Sequence, residues 1–281
     1  MIQRRYAEID VFTEQPYLGN PLAVVLDGAG LDEATMQRFA CWTNLSETCF
    51  LSAPDDAAAD YRVRIWTPGG ELPFAGHPTL GSCHAWLAAG GAPRHADAIV
   101  QQCVVGLVRV RRDGERLAFE APPLRREAVD DAALAPLLAA LGLQRGQLRA
   151  AAWLDNGPRW LGLLLGSAAA VLALEPDHAA LKALGVKVGA IGAHDAGESS
   201  GCAFEVRAFA AAIGIAEDPV TGSLNASLAQ WLIGEGIAPP RYVAAQGTRL
   251  ERAGRVHIER RDGVVWVGGA SVGCVEGRVR L

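Results

Sequence analysis

Apolar and polar positions first alternate along Tyr6–Phe12, which predicts a β-strand. A stretch rich in turn formers, Thr13–Pro21, leads to the β-rich run Leu22–Leu26, the second strand of a hairpin. Asp32 then caps a helix through Trp42, with Met36, Phe39 and Ala40 on its inner side. Tyr61–Trp66 reads as a strand and Thr67–Pro73 as a turn about Gly69 and Gly70; further strands follow at 98–105, 106–112 and 116–120. Alternation at such short, regular intervals predicts a curved antiparallel sheet rather than alternating βα units. Ala121-Pro122-Pro123 reads as a linker. Beyond it the pattern predicts a helix over 130–141, broken by Pro136 or starting its first turn there. Strands at 159–165, 189–195 and 202–210, a short helix at 177–184, a hairpin about Asp262-Gly263 and a final strand at 270–281 complete the chain.

Two stretches interrupt this pattern with polar turns that feed helices. Glu217-Asp218-Pro-Val-Thr-Gly-Ser223 precedes Leu224, Leu228, Trp231 and Leu232 at helical spacing, and Gly76-His77-Pro78-Thr79 precedes the helix-like run to Ala89. A shift of 144 positions superposes Thr79-Leu80 on Ser223-Leu224, Ala85 on Ala229 and Gly90 on Gly234. The lead-ins from Arg64 and Arg207 are also alike, so the chain reads as two similar halves. Each half offers a strand, a polar turn and a helix N-terminus whose backbone N–H groups suit a carboxylate or a developing oxyanion.

Composition narrows the field. Half of the 281 residues are hydrophobic and a fifth are charged, as in a protein with a full core. A net charge of −5 argues against a general nucleic-acid binder. The N-terminal stretch lacks the apolar segment of a signal peptide. The longest apolar run, Trp160–Leu174, is too short for a bilayer, which needs ~20 residues. The expected setting is therefore cytoplasmic, with no membrane partner. Six scattered cysteines form no Cys-x-x-Cys pair and read as buried reduced thiols; six histidines form no ligand spacing, so no metal is expected. No phosphate-binding loop or dinucleotide fingerprint is present in the sequence. Glu47 stands where a helix gives way to an apolar strand, between Leu45 and Cys49. It is either a surface residue of that joint or a half-buried carboxyl that keeps its proton readily and serves acid–base work.

Four blocks, Asp10-Val-Phe-Thr with Gly19-Asn20-Pro21, Asn44-Leu-Ser-Glu47-Thr, Gly76-His77-Pro78-Thr79-Leu80 and Glu217 to Ser223, run from the first strand to the last helix. In that order the chain resembles the phenazine-biosynthesis (PhzF-type) proteins, which share the fold of diaminopimelate epimerase. The resemblance implies an α+β fold of two pseudo-symmetric halves, each a barrel-like, mostly antiparallel sheet around a central helix. It places one half at 1–120, joined by a last strand at about 272–281, and the other at 121–271, with the active site in the cleft between them. It implies a cofactor-independent isomerase that moves a proton within a small carboxylate-bearing substrate, a dihydro-hydroxyanthranilate in the family's characterised reaction. Position by position it implies Glu47, His77 and Asp218 as catalytic residues. Asn20, Gly76, Pro78, Thr79, Gly222 and Ser223 are implied as substrate-binding residues, and a homodimer as the assembly. The two cysteines of the epimerase branch are missing: a 144-residue repeat puts Ala75 and Pro219 at their places, which speaks against two-thiol racemisation. A thiol-independent epimerase or racemase of an amino-acid-like substrate and a catalytically silent binding protein remain the alternatives.

Overall fold

The alternating N-terminal stretch forms β1 (Gln3–Val11), with Ala7, Ile9 and Val11 buried, in a computed structural model that describes residues 2–95, 98–195 and 201–281. β1 pairs antiparallel with β2 (Asn20–Val25) on one side and with the chain's terminal strand, Ser271–Arg280, on the other. α1 (Glu33–Thr43) starts where the Asp32 carboxylate accepts the Thr35 N–H at 2.7 Å. It stops where Asn44 enters the left-handed region at φ 55°. Met36, Phe39 and Ala40 pack inward with Val25, Phe50 and Trp66. β3 (Thr48–Ser52) lies parallel to β2 and antiparallel to β4 (Tyr61–Thr67), on which the short β5 (Gly70–Leu72) folds back. After α2 (Gly76–Ala88), β6 (Ile99–Cys103) joins β4 in parallel, and β7 (Gly106–Asp113) and β8 (Arg116–Glu120) continue as an antiparallel meander.

Pairing among these strands is mostly antiparallel, and the two parallel pairs described here, β2–β3 and β4–β6, fall where a helix intervenes. Parallel neighbours cannot be joined by a tight turn, so α1 carries the crossover from β2 to β3 and α2 that from β4 to β6. Every residue from Gly76 to Cys83 is buried, including His77, Thr79 and Ser82. A helix with no solvent face in its first turns must be enclosed, and α2 packs on β1, β2, β3, β6, β8 and the terminal strand. Gly81 permits that closeness: a Cβ there would lie 2.6 Å from Leu22 Cδ2 and 2.9 Å from Val11 Cγ2.

These elements make up one of two compact units, residues Met1–Glu120 with Gly268–Leu281; the other is Ala121–Val267. In the second, β9 (Arg125–Glu127) and α3 (Asp131–Ala140) precede the hairpin of β10 (Leu148–Asp155) and β11 (Arg159–Leu165). α4 (Ala168–Leu172) and α5 (His178–Leu184) cross to β12 (Val188–Ala193), parallel to β11 and antiparallel to β13 (Phe204–Ala210). β14 (Ile215–Asp218) folds back on β13, and α6 (Gly222–Gly234) crosses to β15 (Arg241–Gln246), parallel to β13. β16 (Gly254–Arg261) pairs with β15, and Asp262 and Gly263, both at positive φ, turn the chain into β17 (Val264–Gly269). α6, like α2, is buried almost all round.

Several expectations need correcting. Pro136 neither breaks nor begins α3: the helix runs through it, because Leu134, Leu137 and Leu138 pack into a core with Leu161, Leu163 and Leu165. That burial outweighs the ~3 kcal/mol local cost of an interior proline. β10, β15 and α4 were not legible. The first two are alanine-rich and carry little β signal, and α4, capped by Ser167, is a five-residue apolar segment too short for periodicity to separate helix from strand. Cys49, Cys83, Cys103 and Cys202 are buried as expected, whereas Cys41 is exposed on the outer side of α1.

The repeat is real in anatomy but its register differs from the expected one. α2 and α6 each have 13 residues, and α6 begins at Gly222, 146 positions after Gly76. Ala75 therefore corresponds to Thr221 rather than to Pro219, and His77, not Thr79, corresponds to Ser223. The likeness of Thr79-Leu80 to Ser223-Leu224 is off the anatomical register by two residues. The glutamates of the lead-ins, Glu71 and Glu217, keep the new register, while their arginines stand three positions out of it. In the first unit the Arg64 guanidinium on β4 holds Glu71 on β5 with two hydrogen bonds; in the second Arg207 on β13 holds Glu217 on β14 the same way.

Candidate active site

Four of the six α-helices among the described residues begin on a capping side chain: Asp32, Asp130, Ser167 and Asp177 each accept a first-turn N–H. α2 and α6 do not. Their N-caps, Ala75 and Thr221, make no side-chain capping bond. A helix start lacking its own cap directs its first-turn N–H groups, and the positive end of its dipole, toward another partner. The two polar turns of the sequence are these two helix starts.

In the first unit, β1 and β2 set Val11 opposite Asn20, and Asp10 opposite Pro21. Within the loop that joins them, the buried Asp10 carboxylate accepts the Gly19 N–H at 2.9 Å, which fixes the backbone just before Asn20. Glu47 comes to the same place from another direction. Asn44 ends α1 and β3 begins at Thr48, whose hydroxyl lies 2.9 Å from that of Thr43. Glu47 is thereby held on a short joint between two anchored elements, its side chain 13% exposed.

His77, the second residue of α2, meets both. Its Nε2 lies 3.5 Å from Glu47 Oε2, and its Nδ1 lies 3.4 Å from Asn20 Nδ2. The imidazole is 5% exposed. Gly76 and Pro78 flank it, buried, in the same helical turn. Thr79 is engaged within the helix: its hydroxyl donates to the Ala75 carbonyl at 2.9 Å and accepts from Gln101 Nε2 at 3.1 Å, while Gln101 Oε1 accepts from Tyr61 at 3.0 Å. The sheltered carboxylate and imidazole form a pair through which a proton can pass, and the helix start beside them suits an anion.

The nearby thiols are unsuited to the same work. Burial raises the Cys49 thiol far above its ordinary range; a hydrogen bond with Ser82 opposes this and the charge of Glu47 adds to it. Burial likewise pushes Cys83, inside α2, up to about 12. Neither becomes a thiolate near neutral pH.

In the second unit, Asp218 ends β14 and is buried; its Oδ2 accepts the Thr221 hydroxyl at 2.5 Å. Gln246 ties this turn together. Its Oε1 accepts from the Thr221 N–H at 3.0 Å and from Asn225 Nδ2 at 2.8 Å, and its Nε2 donates to the Asp218 carbonyl and the Thr221 hydroxyl. Gly222 and Ser223 form the first two positions of α6, and Asn156 Nδ2 holds the Ser223 carbonyl at 3.0 Å. Asn20, Glu47 and His77 are thus gathered in one unit and Asp218, Gly222 and Ser223 in the other.

Asp10, Gln101, Asn156 and Gln246 escaped the sequence reading as site-building residues. Each acts on a partner at least nine positions away in the chain, and a lone buried amide leaves no periodic mark. Gln101 and Gln246 have equivalent duties: each, from the strand that follows a central helix, bonds a side chain in that helix's first turns, Thr79 or Asn225.

Comparison with known proteins agrees with this anatomy. Residues 9–277 match the family described as phenazine biosynthesis-like protein, PhzC-PhzF. The chain is 35% identical over 99% of both sequences to the Schizosaccharomyces pombe protein named antisense-enhancing sequence 1. It is 35% identical, again over 99% of both, to a Pseudomonas aeruginosa protein named trans-2,3-dihydro-3-hydroxyanthranilate isomerase. The crystal structure of a PhzF-family phenazine biosynthesis protein from Enterococcus faecalis superposes over 100% of both chains with a TM-score of 0.84 at 28% identity. The fold is the mixed, mostly β architecture shared with diaminopimelate epimerase.

Proposed function

We propose, since the chain belongs to the phenazine biosynthesis-like (PhzC-PhzF) family, that it is an isomerase that moves a proton between carbons of a small carboxylate-bearing substrate. Glu47 is the group that takes the proton and returns it. The observation that carries this reading is the sheltered contact of Glu47 with His77 at the uncapped start of α2. A carboxylate out of bulk water, with a neutral or cationic ring beside it, can exchange a proton with a substrate carbon without losing it to solvent. The relative named trans-2,3-dihydro-3-hydroxyanthranilate isomerase indicates the substrate class. A dihydro amino-carboxylate of that kind, with tetrahedral carbons in its ring, carries an anion for a helix N-terminus and a C–H made acidic by adjacent unsaturation. In this reading the first-turn N–H groups at Gly76, or those at Gly222 and Ser223, hold the carboxylate or stabilise charge as it develops. Asp218, fixed by Thr221, is suited to a substrate ammonium. The chemistry needs no added cofactor, and no thiol stands at either helix N-cap, where Ala75 and Thr221 are found.

The test is turnover of trans-2,3-dihydro-3-hydroxyanthranilate in D₂O, followed by NMR for isomerisation and for deuterium at carbon. Wild type should convert it. Glu47→Gln, which keeps size and hydrogen bonding, should lose ~10²–10⁴-fold in kcat, the share typical of an acid–base residue, while still binding. Turnover by Glu47→Gln at the wild-type rate, with Asp218→Asn inactive, would reverse the assigned roles. The expected assembly, carried over from the resemblance, is a homodimer, and light scattering giving a mass near 29.6 kDa would rule it out.

A further inference from the structure

We propose that Asn20 is a positioning residue: it holds His77 in the tautomer that carries its hydrogen on Nε2, so that the ring donates to Glu47 and keeps that glutamate a carboxylate at the start of each turnover. Two of the ring's contacts are of opposite hydrogen-bonding character. At Nδ1, 3.4 Å away, stands the amide nitrogen of Asn20, which has only hydrogens to offer. At Nε2, 3.5 Å away, stands a carboxylate oxygen of Glu47, which when ionised has only lone pairs. One neutral form satisfies both contacts: a lone pair on Nδ1 and a hydrogen on Nε2. The opposite tautomer sets N–H against NH₂ on one side and lone pair against carboxylate on the other. An imidazolium repeats the first of these clashes.

The support for this ring is built from the chain end that leads into β2. Asn20 is 1% exposed, and its backbone is fixed by pairing with Val11 and by the Gly19 N–H that Asp10 accepts. Gly19 has no room for a side chain, since a Cβ there would lie 2.2 Å from the Val11 carbonyl oxygen. The amide is therefore placed by backbone, not by a flexible loop. The tautomer follows from the Asn20 amide nitrogen facing Nδ1 together with an ionised Glu47 at Nε2. Its consequence for turnover rests on the isomerase reading above: a ring that donates to Glu47 makes the first step proton removal from the substrate rather than proton delivery to it.

The measurement is a long-range ¹H–¹⁵N correlation spectrum of the full ¹⁵N-labelled chain at pH 8, with the His77 signals identified by their absence in His77→Gln. Wild type should show Nδ1 at an unprotonated, deshielded shift and Nε2 at a protonated one. In Asn20→Asp the new carboxylate accepts a hydrogen from Nδ1, so that nitrogen should move to a protonated shift. Because a second buried carboxylate can prevent folding, Asn20→Ala supplies another arm: without the amide donor, Nδ1 should move toward the average of the two tautomers. A protonated Nδ1 in wild type overturns the proposal, and so does an Nδ1 shift that stays at its wild-type value in Asn20→Ala or in a folded Asn20→Asp. In turnover, Asn20→Asp should lose kcat by about 10²-fold, the lower end of an acid–base contribution, with KM little changed. If wild type leaves the dihydro-hydroxyanthranilate untouched, the isomerase reading fails, and the spectra still decide the tautomer.

Discussion

At the scale of single residues, the first-unit site depends on how tightly the chain passes Asp10 on its way into β2. A methyl group at Gly19 would lie 2.2 Å from the Val11 carbonyl, 2.7 Å from Thr13 Cγ2 and 2.9 Å from Asp10 Oδ1. The first of these is backbone inside a paired strand and cannot turn aside. Gly19→Ala should therefore cost ~1–3 kcal/mol, as other overpacked positions do, and carry Asn20 away from His77. Urea unfolding measures the first effect; a midpoint equal to that of wild type would mean that the loop yields freely. This is also where sequence reading reached its limit. Glu47 and His77 were legible through the family resemblance, since the position of Glu47 alone left a surface residue and a half-buried carboxyl equally open. Asp10 was not. An aspartate at the end of a strand looks solvated until its partner, nine residues on, is known to be a backbone N–H.

Each central helix is launched from a strand pair clamped by one arginine–glutamate bridge, and the two clamps differ in burial. The Arg207 and Glu217 side chains are 4% and 7% exposed, and Arg207 also donates to the Val171 and Leu174 carbonyls at 3.3 and 2.6 Å. Arg64 and Glu71 are 21% and 22% exposed, and Arg64 also reaches the exposed Glu33. Removing one partner of a buried pair leaves the other charged and unsolvated, which costs ~3–5 kcal/mol, whereas solvent-exposed pairs contribute about 0–1 kcal/mol. Arg207→Met should destabilise by roughly the first amount and Arg64→Met by an intermediate ~1–2 kcal/mol. Chemical denaturation of both variants tests the order, and equal losses would show that burial does not set the strength of these clamps. The clamps were only half visible beforehand. The lead-ins looked alike because Arg64 and Arg207 recur, but their glutamates sit at different distances along the chain, since β4–β5 and β13–β14 turn through loops of different length. The same insertion obscured the repeat, and only the helix starts, Gly76 and Gly222, restore the true correspondence.

Taken as a whole, the molecule is two copies of one plan whose chemistry has diverged: His77 answers to Ser223, and Leu72 to Asp218. The plan was readable from hydrophobic alternation and two polar turns. The divergence was not, because it depends on register. Divergence also extends to ionisable groups away from the helix starts, with a measurable result. In the first unit, burial lowers the pKa of His84 on α2. In the second, burial raises that of Glu205 on β13, opposed by Thr248, His194 and Arg255. The signs are opposite in effect. Below pH 6.5 the unfolded chain protonates His84 while the folded chain resists, so the unfolded state binds more protons and stability falls with falling pH. For Glu205 the folded state holds its proton longer, so stability falls as pH rises from 4.5 through the raised folded value. His84→Asn should therefore gain on wild type as pH drops from 7 to 5, and Glu205→Gln should gain on wild type as pH climbs from 4.5 toward neutrality. Melting temperatures of the three proteins across pH 4.5–7.5 give both slopes in one experiment. If the wild-type and His84→Asn curves run parallel, the imidazole is protonated as freely in the fold as out of it. If Glu205→Gln instead loses ground with rising pH, His194 and Arg255 favour the charged carboxylate by more than burial disfavours it.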